Sequence, residues 1–141
     1  MINLHHAHLM AGDIDATIAF WRDGFGAQVV HDGVFAGARN VFLTVGAGRI
    51  HLYDQPPRTT ERSTVHHLGI QTDELDAVVE RLRAMDVSVT PIRHEPTARY
   101  AMAEGPDRLL LEIFEPDPAA LPPALRSYFA LPAHPDTSSE G

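Results

Sequence analysis

Displaced against itself by 61 residues, the chain matches itself, and this internal repeat is what most limits the folds open to it. His5 and His6 fall on His66 and His67, Leu4 on Val65 and Leu9 on Ile70. The same displacement carries Asp13 onto Glu74, Asp15 onto Asp76, Ala16 onto Ala77 and Arg22 onto Arg83. Farther along it carries His51 onto Glu112, Tyr53 onto Phe114 and Asp54 onto Glu115. Apolar alternation alone produces accidental matches, but it does not match charges and histidines. The chain therefore reads as one unit used twice, residues 1–58 and 59–117, followed by a tail over 118–141.

Each copy has the same local order. Leu4 to Met10 and Val65 to Gln71 alternate as strands do, and acidic stretches at Asp13 and Asp73 then open helical segments. Ile14, Ile18 and Trp21 fall on one helix face, as do Leu75, Val78, Val79, Leu82 and Met85, so both helices present core residues. Gly24 and Gly26 stop the first helix. Strand-like runs follow at Ala27 to His31, Asn40 to Val45 and Arg49 to Asp54 in the first copy. In the second they lie at Val87 to Ile92, Arg99 to Ala103 and Leu109 to Glu115. The pattern is an α+β chain of two tandem β-α-β-β-β modules, joined through Pro56, Pro57 and the polar residues up to Ser63. Six of the eleven prolines lie from Pro116 onward, which forbids continuous helix or sheet there. Ala124 to Leu131 has room for one short helix, and the end from Asp136 is expected to be disordered.

Composition narrows the chemistry. With no cysteine, disulfides and thiolate ligands are excluded, so a metal must be held by imidazole and carboxylate. A net charge of −8 with no basic stripe argues against nucleic acid and anionic membranes as partners. No stretch has the length of a membrane span and the N-terminus lacks signal-peptide regions, which by default predicts a cytoplasmic protein.

Strand parity then sorts the candidate ligands. His6 shares a face with Leu4, His8 and Met10; His67 shares one with Gly69 and Gln71; His51 goes with Arg49 and Tyr53, and Glu112 with Leu110 and Phe114. Arg49 makes the His51 face the most polar of these. Glu112, flanked by Leu109, Leu110, Leu111 and Ile113, is expected to be desolvated unless a cation meets it. Two imidazoles and one carboxylate leave open coordination positions, an arrangement associated with Fe(II) and compatible with Mn, Ni, Co or Zn.

His6-x6-Asp13, its copy His67-x5-Asp73, and the closing run Pro106-Asp107-Arg108-Leu109-Leu110-Leu111-Glu112 resemble the vicinal oxygen chelate superfamily. That group includes glyoxalase I, bleomycin-resistance proteins and extradiol dioxygenases. The resemblance covers roughly residues 2 to 116 and implies paired modules whose cupped mixed sheets enclose a metal. By position it implies His6, His67 and Glu112 as ligands, with His51 in the remaining last-strand place. The glyoxalase branch usually has Glu there, so His51 argues against hemithioacetal isomerisation. Arg108 stands where the family commonly has Gly, which predicts an altered turn. The fosfomycin-modifying branch needs a basic pocket, and this chain has few clustered cations.

The resemblance thus implies a metal-dependent oxygenase, with Fe(II) first among the ions, acting with O2 on a small phenolic, quinonoid or polyketide-like substrate. Glu112, His8 and His51 are its candidate catalytic groups, His51 alternatively being a fourth ligand. Tyr53, Tyr100, Met102 and Phe114 are candidate pocket residues. A lyase or isomerase of the glyoxalase or epimerase type, and a drug-sequestering protein without the metal, are the alternatives. Homodimerisation is expected, with the site inside one chain or shared between two.

Overall fold

A computed structural model describes residues 1, 4–35, 37–59, 61 and 65–132. The end from Asp136, and Ser63 at the close of the linker, lie outside the described residues. Two four-stranded mixed sheets carry the chain. The first has the order β1, β4, β3, β2, with β1 spanning Ala7–Met10, β2 Gln28–Phe35, β3 Ala38–Val45 and β4 Gly48–Tyr53. The second repeats it as β5, β8, β7, β6, with β5 spanning Leu68–Gln71, β6 Arg93–His94, β7 Ala98–Glu104 and β8 Leu110–Pro116. In each sheet the entering strand lies parallel to the last strand, and the other pairs are antiparallel.

Helices α1 (Ile14–Phe25) and α2 (Leu75–Ala84) cover one face of each sheet. Asp13 caps α1, its carboxylate accepting the Ala16 N–H at 3.0 Å. Trp21, Leu52, Leu75, Leu82, Leu111 and Ile113 are fully buried, so one continuous core lies between the helices and the sheets. The helices also meet each other. Gly24 does not stop α1, as the sequence suggested. It lies inside the helix, where a Cβ would stand 3.1 Å from the Leu82 side chain, so its smallness admits α2. Gly26 alone ends the helix, at a left-handed φ of 68°.

Two further expectations are corrected. The entering strands begin at Ala7 and Leu68, so His6 and His67 stand just ahead of the ladders. The run Val87 to Ile92 is not a regular strand: it makes a single bridge, Val89 to Ala103, and only Arg93–His94 pairs thereafter. Pro91 has no N–H to give a ladder, and the Thr90 hydroxyl takes the Met102 N–H at 2.9 Å that a strand carbonyl would otherwise accept. The short helix of the tail, α3, covers Pro123–Arg126. Among the described residues no helix is long and apolar enough to cross a membrane.

Candidate metal centre

Alternation along β4 and β8 decides where the candidate ligands face. Ile50 and Leu52 are buried against the helix layer, which turns His51 and Tyr53 to the opposite, open face. Leu111 and Ile113 do the same for Glu112 and Phe114. The apolar neighbours therefore do not desolvate Glu112, whose side chain keeps 32% exposure. Leu111 and Ile113 lie on the other side of the sheet, so the expected burial of Glu112, and with it the demand for a cation, is not met.

In the second module, Nε2 of His67 lies 3.6 Å from Oε2 of Glu112. Two ligand atoms each about 2.1 Å from a shared ion at octahedral to tetrahedral angles stand roughly 3.0–3.4 Å apart, so this pair fits two positions on one ion with little movement. Nδ1 of His67 faces Nδ1 of His66 at 2.8 Å. A His67 that binds a metal through Nε2 carries its proton on Nδ1, and His66 is placed to accept it.

The first module repeats the device. Nδ1 of His5 and Nδ1 of His6 are 3.0 Å apart. The His6 ring stacks on the His51 ring with centroids 3.6 Å apart, and His51 stacks in turn on Phe42 at 3.9 Å. His8 meets both His6 and His51 edge-on. Partial burial, followed by the neighbouring charges of His6, His8 and His5, lowers the pKa of His51 below the usual histidine value. His51 is therefore held as neutral imidazole, the form that ligates a metal or accepts a proton.

Within one chain these groups form two sets rather than one. Among the described residues, the group of three or more such side chains with ligand atoms all within 4.8 Å of one another is His5, His6 and His51. His67 and Glu112 make their pair in the other sheet. Of the candidate pocket residues, Tyr53 meets His8 edge-on at 6.0 Å on the first sheet, and Met102 lies beside Glu112 in register. Tyr100 and Phe114 line a pocket with Glu112. A larger depression, of about 460 Å3, runs along His94, Arg99 and Glu115, away from these ligands, and Arg99 there is already paired with Asp76 and Glu115.

Sequence reasoning passed over His5, His66, Phe42, Gln71 and Phe129. The repeated His-His dipeptide was the available signal for the first two. Gln71 shares strand parity with His67, whereas nothing local marks Phe129, which reaches the site by the fold of the tail.

A profile of the Glyoxalase/Bleomycin resistance protein/Dioxygenase superfamily matches residues 3–113, and the chain belongs to that superfamily. It is 28% identical over 123 residues to the uncharacterized protein YwkD of Bacillus subtilis (strain 168), covering 80% of this chain and 96% of YwkD. It has the same identity over 123 residues with YaeR of Escherichia coli (strain K12), covering 79% of this chain and 95% of YaeR. Among solved structures, a mutant of the fosfomycin resistance protein FosX from Listeria monocytogenes, complexed with Mn(II) and 1S,2S-dihydroxypropylphosphonic acid, superposes with a TM-score of 0.73. The identity is 23%, over 85% of this chain and 97% of FosX. A glyoxylase/bleomycin resistance protein/dioxygenase domain from Frankia sp. EAN1pec gives a TM-score of 0.71 at 16% identity, over 83% of this chain and 99% of that domain. At these identities the structural likeness concerns the fold, the vicinal oxygen chelate arrangement of two modules.

Proposed function

We propose that the chain is a metal-dependent enzyme that binds a small molecule through vicinal oxygens. Its ion is held by His6 of the first module with His67 and Glu112 of a second module, and His51 serves as fourth ligand or proton acceptor. The observation that carries this reading is the 3.6 Å approach of His67 Nε2 to Glu112 Oε2, at the position in the second module that corresponds to the His6–His51 stack of the first.

Because one chain keeps the two sets in separate sheets, the complete site is proposed to form between two copies. The outer strand β2 supports this, with Val34 80% and Phe35 73% exposed on a strand that, among the described residues, pairs only with β3 and that a second chain would cover. A bound divalent ion supplies Lewis-acid polarisation of the chelating oxygens. The chain's own groups do the rest: neutral His51 and Glu112 take or return protons, and His66 and His5 orient the ligating rings.

The finer reading is an Fe(II)-dependent oxygenase of phenolic or quinonoid substrates, supported by an imidazole rather than a carboxylate at position 51. The test is metal analysis of freshly purified protein, followed by oxygen uptake with a catechol and quinol panel after Fe(II) loading. One ion per site and substrate-dependent uptake are expected. Turnover in anaerobic buffer with Ni, Co or Zn would replace the oxygenase with a lyase or isomerase. Protein free of metal that still binds its ligand would replace both with a sequestering protein.

A further inference from the structure

The first module gathers more imidazole than the site proposed between two copies can use. Strict strand alternation would turn His5 away from His6, but β1 begins only at Ala7, so no ladder holds His5 to that rule. Its Nδ1 stands 3.0 Å from Nδ1 of His6, and its ring meets the His51 ring edge-on at 6.1 Å, while His51 stacks on His6 at 3.6 Å. The ligand nitrogens of His5, His6 and His51 all lie within 4.8 Å of one another, and among the described residues no other group of three meets that limit. The matching positions of the second module are His66, His67 and Glu112, so a histidine at position 51 makes the first module's set purely nitrogenous.

Two nitrogens about 2.0 Å from one ion stand roughly 2.8 Å apart in neighbouring positions and about 4 Å apart across it. The spacing of His5 and His6 already matches neighbouring positions. The His6 and His51 rings lie nearly parallel, with their lone pairs side by side, so they must splay to converge on an ion. His5 and His6, exposed and ahead of the ladder, have room to turn, while β4 holds the backbone of His51 between two neighbouring strands. Three imidazoles without a carboxylate suit the late, nitrogen-seeking ions, and affinity along that series peaks at Cu(II). Fe(II) and Mn(II) stand at its weak end and gain more from the set that holds Glu112.

We propose that His5, His6 and His51 form a copper(II) site complete within one chain, and that filling it withdraws His6 from the shared site. A neutral imidazole has a single lone pair, so His6 serves one ion at a time. The two sites are told apart by their ions, the shared one being loaded with Fe(II) or Mn(II) and this one with copper(II). The copper site stands on its own geometry, and only the withdrawal rests on the shared-site reading.

The experiment uses the full chain, stripped of metal and carrying His67→Ala with Glu112→Gln, so that the second-module ligands are gone. Titrated with Cu(II) against a chromophoric chelator, it is expected to take up one tight ion per chain, and pulsed EPR should count the three imidazoles. Adding His5→Ala or His51→Ala should weaken that affinity by about tenfold or more, since loss of even an outer partner of a metal ligand costs that much, and should lower the imidazole count by one. His94→Ala, in the other module, is the control for adventitious surface binding and should change nothing. No tight copper in this background, affinity unmoved by His5→Ala, or a loss caused by His8→Ala in its place overturns the site. In the wild type loaded with Mn(II), one equivalent of Cu(II) should release Mn(II) while giving the same copper spectrum as the variant. Copper bound with that spectrum beside retained Mn(II) overturns the withdrawal. Tight copper in a wild type that holds neither Fe(II) nor Mn(II) counts against the shared site alone. Mn(II) uptake that disappears with His67 and Glu112, with no tight copper left behind, counts against this site alone.

Discussion

Arg108 holds a backbone conformation that a side chain rarely adopts. Asp107 and Arg108 have φ of 57° and 61°, so the turn before β8 keeps the left-handed geometry suited to glycine although position 108 carries a long side chain. A long side chain at position 108 thus sits on strained backbone. Arg108 gains little in return, since its guanidinium reaches Glu104 only at 4.0 Å in solvent. Arg108→Gly should therefore raise unfolding stability by about 1 kcal/mol, measured as the urea midpoint at constant slope. Asp107 works for its place: its carboxylate accepts the Gly12 N–H, joining the turn to the end of the first strand. His66 gives a second prediction at this scale. If it orients His67 through the Nδ1 contact, His66→Ala should weaken divalent-metal affinity by roughly 10- to 100-fold, as loss of an outer partner does, while leaving the fold intact. Competition against a chromophoric chelator measures it, and unchanged affinity would remove His66 from the site.

Each module clamps its helix to its sheet with an arginine. Arg39 of β3 grips Asp15 in the first turn of α1 at 2.9 Å, and Arg99 of β7 grips Asp76 in the first turn of α2 at 2.9 Å. The matched aspartates were visible in the repeat, but their partners were not, because the arginines lie on strands whose register is set by the fold. Capping shows the same division. Asp13 caps α1 as a local pattern predicts, whereas at α2 neither Asp73 nor Glu74 does so; the Leu75 N–H is instead accepted by Glu115 of β8 at 2.9 Å. No local rule finds a cap that arrives from another strand. Glu115→Ala should cost about 1 kcal/mol as a lost helix cap. The Leu75 N–H, then Arg99, hold the Glu115 carboxyl below its usual pKa of 4.5. Below 4.5 the unfolded chain takes up this proton while the folded chain resists it. The stabilisation is thus complete above 4.5 and is lost as pH falls through the lower folded value. Urea midpoints taken down the acid limb should fall more steeply in the wild type than in Glu115→Gln, and parallel curves would contradict the assignment.

Parity along single strands made the open face of each sheet legible, and with it His51, Glu112, Tyr53 and Phe114. Which sets share an ion was not legible, since that depends on how sheets face one another, and sheet pairing is a property of the assembly rather than of any strand. The repeat says only that the halves correspond: His6 with His51 in one, His67 with Glu112 in the other. A site shared between two copies makes a prediction that a site within one chain cannot. His6→Ala and Glu112→Gln should each abolish metal binding when pure. Unfolded and refolded together in equal amounts, they produce mixed dimers in which one of the two sites draws an intact His6 from one chain and intact His67 and Glu112 from the other. The second site in such a dimer carries both defects. With random pairing, half the dimers are mixed and half their sites are whole, so metal content and activity should return to about one quarter of wild type. Sites built within single chains would stay empty in the mixture at every ratio, because no chain in it has all three ligands. Recovery that peaks at equal proportions and vanishes toward either pure variant would therefore identify two chains as joint owners of the ion.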